Sequence, residues 1–395
     1  MNWTLLLPAL ILVACSGPQP QSSGATSPPP LSGHVYLTPA GTDSAISVVD
    51  AASGRALRTL PSGTPSPDWR WLYAVNRDVV QIVDPASGSV AAQTSVPDWA
   101  ATVRTSANGQ WLVVTGKATP DSTISRFEVQ NAALARPPET VTLRGSFSFD
   151  GISNDGRRLY LLERVGAGHY LVRRYDLPRR RLYEAPIFDK SEGAGPMSGE
   201  VANSVTTRDG ATQLTLYQHD ANHRSFVHVL PMTSDLPFAF CVDLPGPDHG
   251  WTLVAAPNGK TYYAVNPAYG WIATITPAAG AEPTVTKSRI GPAGAGQAQA
   301  PQADTPAAVV SPDGSTLYLS DGQGVMSVST GTMRSRGGSF QEASRITSLA
   351  LDPTGRVLYA LESGRLLALD PRGPRLFRSV TLQPRVTFVA IVRVA

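Results

Sequence analysis

The chain has 395 residues, 42% of them hydrophobic and 16% charged, with a formal net charge of +3. That balance is too even to imply a nucleic-acid partner. Of the 33 basic residues 29 are Arg and four Lys, a bias of composition more than of chemistry, and two cysteines cannot build a disulfide framework.

The chain opens on an apolar run, Leu5 to Val13, interrupted by Pro8 and followed by Ala14-Cys15. The run is far shorter than the ~18 apolar residues of a membrane-spanning helix. Leu12-Val13-Ala14-Cys15 resembles a bacterial lipobox, although no Lys or Arg precedes the run. The resemblance implies a signal peptide over 1–14 and a diacylglyceryl group on Cys15, which would hold the protein in the cell envelope outside the cytoplasmic membrane. Without acylation the same segment would read as an ordinary secretory signal. Residues 15–32 continue as an uncharged tether rich in Pro, Ser and Gly, which cannot bury enough apolar surface to order itself.

A turn of the type Ser-Pro-Asp-Gly then recurs. It is found at Ser66–Trp69, Ser106–Gly109, Ser153–Gly156, Thr207–Gly210, Ala256–Gly259, Ser311–Gly314 and Asp352–Gly355, at intervals of 40 to 55 residues. Each turn leads into a run rich in Leu, Tyr and Val. Self-similarity at this period, with short strands and abundant Gly and Pro, predicts an all-β fold: a single β-propeller of four-stranded blades over 33–395. A second recurring form, seen at Asp50–Gly54, Asp84–Gly88 and Asp370–Gly373, puts an Asp at the head of a tight turn. There it can accept from backbone amides two residues on, so these carboxylates read as structural.

Asp-x-x-Ser-Gly, Ser-Pro-Asp-Gly and the strands Tyr73-Ala74-Val75-Asn76 and Tyr263-Ala264-Val265-Asn266 together resemble the YVTN class of β-propellers. The resemblance covers about residues 33 to 395. It implies architecture and leaves function open, because such propellers include surface proteins, binding scaffolds and enzymes. Seven turns mark seven blades. His34–Leu37 has no turn before it and Val386–Val392 none after it, so the two are expected to pair, close the ring and complete an eighth blade, with seven as the alternative. The stretch Gln130–Ala135 could form one helical turn, and Gly291–Ala303 reads as a flexible loop.

In a propeller the Ser-Pro-Asp-Gly turns share one face. The loops joining second to third strands and blade to blade share the other, where the resemblance places ligand sites. His169, His219, His223 and His249 fall in such loops, with Glu163, Asp189, Glu192, Glu200, Asp220 and Asp248 as neighbouring carboxylates. These are candidate ligand-face residues. They do not match a zinc motif, and nothing in the Asp220-Ala221-Asn222 loop is expected to turn the His219 and His223 rings toward His249. No metal or other cofactor is therefore expected, and no catalytic residue is assigned. Cys241, in an apolar run, reads as a buried inert thiol.

The third turn-marked unit concentrates arginine. Arg173, Arg174, Arg179, Arg180 and Arg181 are read as a basic edge that discourages strand addition or meets an anionic polymer. The sequence thus predicts a lipid-anchored, monomeric, extracytoplasmic scaffold that binds a protein, glycan or small molecule without catalysis, and touches membrane through its anchor alone. The alternative is a lactonase-type hydrolase with acidic and amide groups at the channel mouth.

Overall fold

The computed structural model describes residues 31–395 except 40–44, 118, 120, 191–194, 291–306, 322, 342–344 and 384–387. The signal peptide, Cys15, the tether up to residue 30, Glu192 and the Gly291–Ala303 loop lie outside the described residues.

Eight antiparallel sheets stand in a ring, and the described residues contain no helix. Blade 1 is built from both ends of the chain. Its innermost strand is Phe388–Val394, followed outward by His34–Pro39, Ile46–Asp50 and Ala56–Leu60. Val35 pairs with Val394, Leu37 with Ile391 and Pro39 with Phe388. This is the expected closure, two residues further along the chain than the sequence suggested. Blades 2 to 8 follow in chain order, each running from an inner to an outer strand. The helical turn expected over Gln130–Ala135 is instead a tight turn, in which the Leu134 amide donates to the Asn131 carbonyl.

Alternation along each strand sends side chains to both neighbouring blades. The core is accordingly divided into eight apolar clusters, one per interface. Val35, Leu37 and Val49 of blade 1 meet Tyr359 and Leu361 of blade 8, and Tyr36 and Val48 meet Leu72 and Val83 of blade 2. The tyrosines of the second strands add a polar tie. The hydroxyls of Tyr36, Tyr160 and Tyr318 donate to the carbonyls of Pro85, Met232 and Pro371, each in an outer turn of the next blade.

The recurring turn has one chemistry at four of its seven places; Asn108 replaces the Asp at Ser106, Ala256 has no hydroxyl, and at Asp352 the carboxylate itself accepts from the Val357 amide. Ser66, Ser153, Thr207 and Ser311 donate their hydroxyls to Asp68, Asp155, Asp209 and Asp313 at 2.5–2.6 Å. The same hydroxyl oxygens accept from the backbone amides of Trp71, Arg158, Thr212 and Thr316. The glycine is required twice over at Gly156 and Gly210. Both have φ near +70°, and an added Cβ would meet the Trp111 ring at 2.1 Å or the Asn154 amide at 2.0 Å. Neighbouring turns therefore interlock, and Asn154 bonds both Asn108 and the Asp209 carbonyl.

Trp69 occupies the glycine position of the first turn with φ +57°. Its ring lies 5.6 Å from that of Tyr36, and the Arg393 guanidinium sits 5.3 Å above it while donating to the Trp69 carbonyl. The departure from glycine thus coincides with the place where the terminal strand is fastened to blade 2.

Candidate functional site

On the face opposite the interlocked turns, blades 5 and 6 bring three imidazoles to one carboxylate. His219 and His223 come from the hairpin between the second and third strands of blade 5, Thr212–Gln218 and Phe226–Pro231. Asp248 and His249 come from the crossing that leads to Thr252–Ala255, the innermost strand of blade 6. The Nδ1 atom of His249 is 3.0 Å from Asp248 Oδ1, and the Nδ1 atoms of His219 and His223 are each 3.5 Å from Asp248 Oδ2. The His219 and His249 rings lie parallel with centroids 6.0 Å apart, and Tyr269 meets His249 edge-on.

The expectation that these rings would not converge is overturned, and the reason is Asp220. Its buried carboxylate accepts from the Asn222 and Arg224 amides and from the Arg224 guanidinium, which folds the loop back on itself. His219 and His223 both adopt positive φ, +54° and +55°, within that fold. The His219 amide donates to the Asp248 carbonyl, and the fully buried Asn266 donates to the carbonyl of His249. One backbone bond, from His219 to Asp248, thus ties the two loops together, and the Asn266 side chain fixes the His249 backbone to blade 6.

A ring nitrogen that faces a carboxylate donates to it, and the opposite nitrogen, Nε2, points away from that bond. The Asp248 carboxyl is held below the usual carboxylate range, chiefly by its hydrogen bond with His249, with His219 adding to the effect. The Nδ1 atom of His249 is within hydrogen-bond distance of Asp248, and the Nδ1 atoms of His219 and His223 face the same carboxylate. Among the described residues no group of three or more His, Cys, Asp and Glu side chains is arranged to hold a metal ion. The side chains remain accessible: His223 is 91% exposed, His219 51% and His249 44%.

The other sequence candidates are placed elsewhere. His169 opens the third strand of blade 4, with its Nδ1 on the Ala167 carbonyl, and stands apart from the cluster. Glu163 lies within a strand, not a loop, and is bonded to Arg173 across blade 4. Asp189 is buried on a short strand, Phe188–Asp189, added in parallel to the outer edge of blade 5, where it accepts from the Cys241 amide. Glu200 is exposed at the start of the innermost strand of blade 5. Cys241 is half-buried and forms no disulfide.

The basic edge is also corrected. Arg173 binds Glu163 and the Tyr183 carbonyl, and Arg174 is 4% exposed, bonded to the Ser234 carbonyl with its guanidinium 4.0 Å from the Tyr183 ring. These two arginines are interior struts. The exposed group is Arg179, Arg180 and Arg181, of which Arg179 pairs with Asp176 and Arg180 with Glu139.

One group with unusual chemistry escaped the sequence. Asp150 sits at a register shift in Phe147–Ile152, the innermost strand of blade 4. Gln213 of blade 5 donates to its carbonyl and to its Oδ1, while its Oδ2 is buried without a partner in the described structure. Burial pushes the carboxyl up to about 6 against the bond from Gln213. A separation of 63 residues and the absence of any motif hid this pair.

No known family matches the sequence, and no curated protein is similar to it. Solved structures match over most of the chain. Apo AztD from Citrobacter koseri is 10% identical, covering 92% of this chain and 98% of that one, with a TM-score of 0.56. Dihydro-heme d1 dehydrogenase NirN in complex with DHE is 13% identical, covering 94% and 78%, with a TM-score of 0.54. The periplasmic gluconolactonase PpgL of Pseudomonas aeruginosa is 16% identical, covering 91% and 99%, with a TM-score of 0.44. The chain shares a fold with the first two of these proteins. At such identities the likeness carries no activity from them to this chain.

Proposed function

We propose that the protein is an exported, lipid-anchored binding scaffold that presents its ligand surface on the loop face of blades 5 and 6, with no chemistry of its own. The observation that carries this reading is the contrast within the cluster: the loop backbones are tied together, while three imidazoles stay exposed around Asp248. A site held rigid before it meets its ligand loses little entropy on binding. Three accessible imidazoles, one of them against Tyr269, suit a partner rich in hydroxyl or amide groups, such as a glycan or a protein loop. The lipobox-like Leu12–Cys15 and the uncharged tether support placement in the envelope, facing away from the cytoplasm.

Capture from an envelope extract tests the binding role. The wild-type protein is expected to retain a component that His219→Ala/His249→Ala loses. Identical retention by both would contradict the reading. For the anchor, Cys15→Ala should release the protein from membranes or leave an uncleaved precursor.

A second reading, a propeller hydrolase, is favoured by Asp150, because a carboxyl near neutrality is what general acid–base catalysis asks for. Its free oxygen is buried, however, and Gln213 covers the other. Turnover of a lactone that is abolished by Asp150→Asn would favour this reading over the scaffold.

A further inference from the structure

The two sides of blade 5 are packed on opposite chemistry. Toward blade 6 it presents Leu214, Leu216, Val227, Val229, Phe240 and Val242, all buried in one apolar cluster. Toward blade 4 it presents the alternate residues. These are Gln213, Thr215 and Tyr217 on the second strand, His228 opposite Thr215 on the third, and Cys241 opposite His228 on the fourth. Gln213, Thr215, Tyr217 and His228 are each at most 3% exposed. A buried polar seam is costly unless its groups are paired, and here Asp150 Oδ2 and His228 Nε2 are enclosed without a partner.

Among the described residues no cation is placed to balance a charge on Asp150. Arg174 donates to the Ser234 carbonyl and lies over the Tyr183 ring, Arg158 is paired with Asp235, and Arg164 is exposed at the loop-face end of its strand. Burial pushes the His228 imidazole down to about 4 and holds the Tyr160, Tyr170 and Tyr217 hydroxyls above their ordinary range, so all four are neutral between pH 5 and pH 7. The buried Asp189 and Asp220 of blade 5 are themselves acids. Only burial and the bond from Gln213 act on the Asp150 carboxyl, and burial wins. The same polar stripe reaches the histidine loop. Gln213 also donates to the Thr215 hydroxyl, and beyond it Tyr217 stacks on Tyr170 of blade 4 with centroids 5.3 Å apart. The Tyr170 hydroxyl donates to the Ser198 carbonyl at 3.2 Å, and the Ser198 hydroxyl accepts from the amide of Ala221, between His219 and His223, at 2.9 Å.

We infer that the seam between blades 4 and 5 is a proton-operated joint: with Asp150 protonated it closes and steadies the histidine loop through Tyr170 and Ser198, and with Asp150 ionised it opens toward water and loosens that loop. The inference rests on the histidine face as the ligand surface and adds its regulation. An enclosed carboxylate with no cation beside it favours whichever arrangement hydrates it. In the open seam the group returns toward its ordinary value, so acid closes the joint and neutral pH opens it. By linkage the opening equilibrium rises about tenfold between pH 5 and pH 7.

Hydrogen exchange of the intact protein tests it, read as protection factors at pH 5 and pH 7. The amides of Thr212–Gln218 and of Ala221 should lose about tenfold in protection at the higher pH. They should also stay less protected than Leu358–Glu362 of blade 8, which shows that the seam opens without the whole ring. Asp150→Asn keeps the shape and cannot ionise, so its protection should be the same at both pH values. The three exposed imidazoles are common to both proteins, and the difference between them therefore belongs to Asp150. In Tyr170→Phe the response should survive at Thr212–Gln218 and vanish at Ala221. No response in the wild type, an equal response in Asp150→Asn, seam protection equal to that of blade 8, or an Ala221 response that persists in Tyr170→Phe would each overturn the proposal. Exchange needs no ligand, so its failure would strike the joint and leave the histidine face to the capture experiment.

Discussion

The two faces of this ring are built on opposite principles. On the turn face one short rule recurs in most blades: a Ser or Thr hydroxyl donates to an Asp or Asn and accepts from the amide five residues on, with a glycine closing the turn. Asp68, Asp209 and Asp313 are held low by their own turns, Asp313 at about 2 through the Ser311 hydroxyl first. On the loop face no rule recurs. Blade 5 carries the Asp220 loop, and blade 4 a strand interior holding Asp150. Repetition marks what every blade must do to stay packed. Departure from it marks where individual blades differ and where a ligand can be recognised.

This comparison can be broken or sharpened by experiment. The largest effect should come from the seam. Deleting Phe388–Ala395 exposes the His34–Pro39 edge and unpacks Phe388, Ile391 and Val394 from the cluster between blades 8 and 1. Soluble monomer should be lost in size-exclusion chromatography, and a monomeric truncation with an unshifted melting temperature would refute closure by these strands.

Next is Gly156→Ala. The left-handed backbone and the clash with Trp111 together should cost about 2–4 kcal/mol, read as a lower denaturation midpoint. An equal change at Gly168, on the loop face with open space around it, should cost only the backbone part, about 1 kcal/mol.

Asp150 gives a pH signature. Its carboxyl is raised from 3.8 to about 6, so the folded state holds the proton between those values and the unfolded chain does not. Stability from this group is greatest in acid and falls as the pH rises through 6, by up to about 3 kcal/mol. Asp150→Asn should flatten the decline in melting temperature between about pH 4 and pH 7. An unchanged slope would mean that the carboxyl is not buried as described.

The smallest stability effect should be at the proposed site itself. Asp248→Asn removes a carboxylate whose lowered pKa contributes stability above the ordinary carboxylate range, lost as the pH falls through that lowered value. Its partners are exposed, so the change should stay within about 1 kcal/mol at neutral pH while altering ligand retention.

The legibility of the sequence divides along the same line. The turn face could be read because each turn is completed within six residues, and the eighth blade followed from two strands left without turns. Trp69 departs from the pattern in sequence, but its role shows only when Tyr36 and Arg393 are seen around it. The loop face was half-legible. His219, His223, Asp248 and His249 could be assigned to one face, yet their convergence depends on Asp220 folding its loop, a local bond that spacing did not reveal. Arg173 and Arg174 were misread as an exposed edge because adjacent strand residues point to opposite faces and both found interior partners. Asp150 and Gln213 meet across two blades and leave no local trace.

The central claim is that ligands meet the loop face while the turn face only holds the ring together. Site-specific photo-crosslinking in the native envelope tests it most directly, with benzoylphenylalanine replacing Asn222 beside His223 or Arg208 on a turn, both exposed positions. A discrete adduct from position 222, lost in the His219→Ala/His249→Ala background, with none from position 208, is the predicted result. Adducts from position 208 alone would contradict the account.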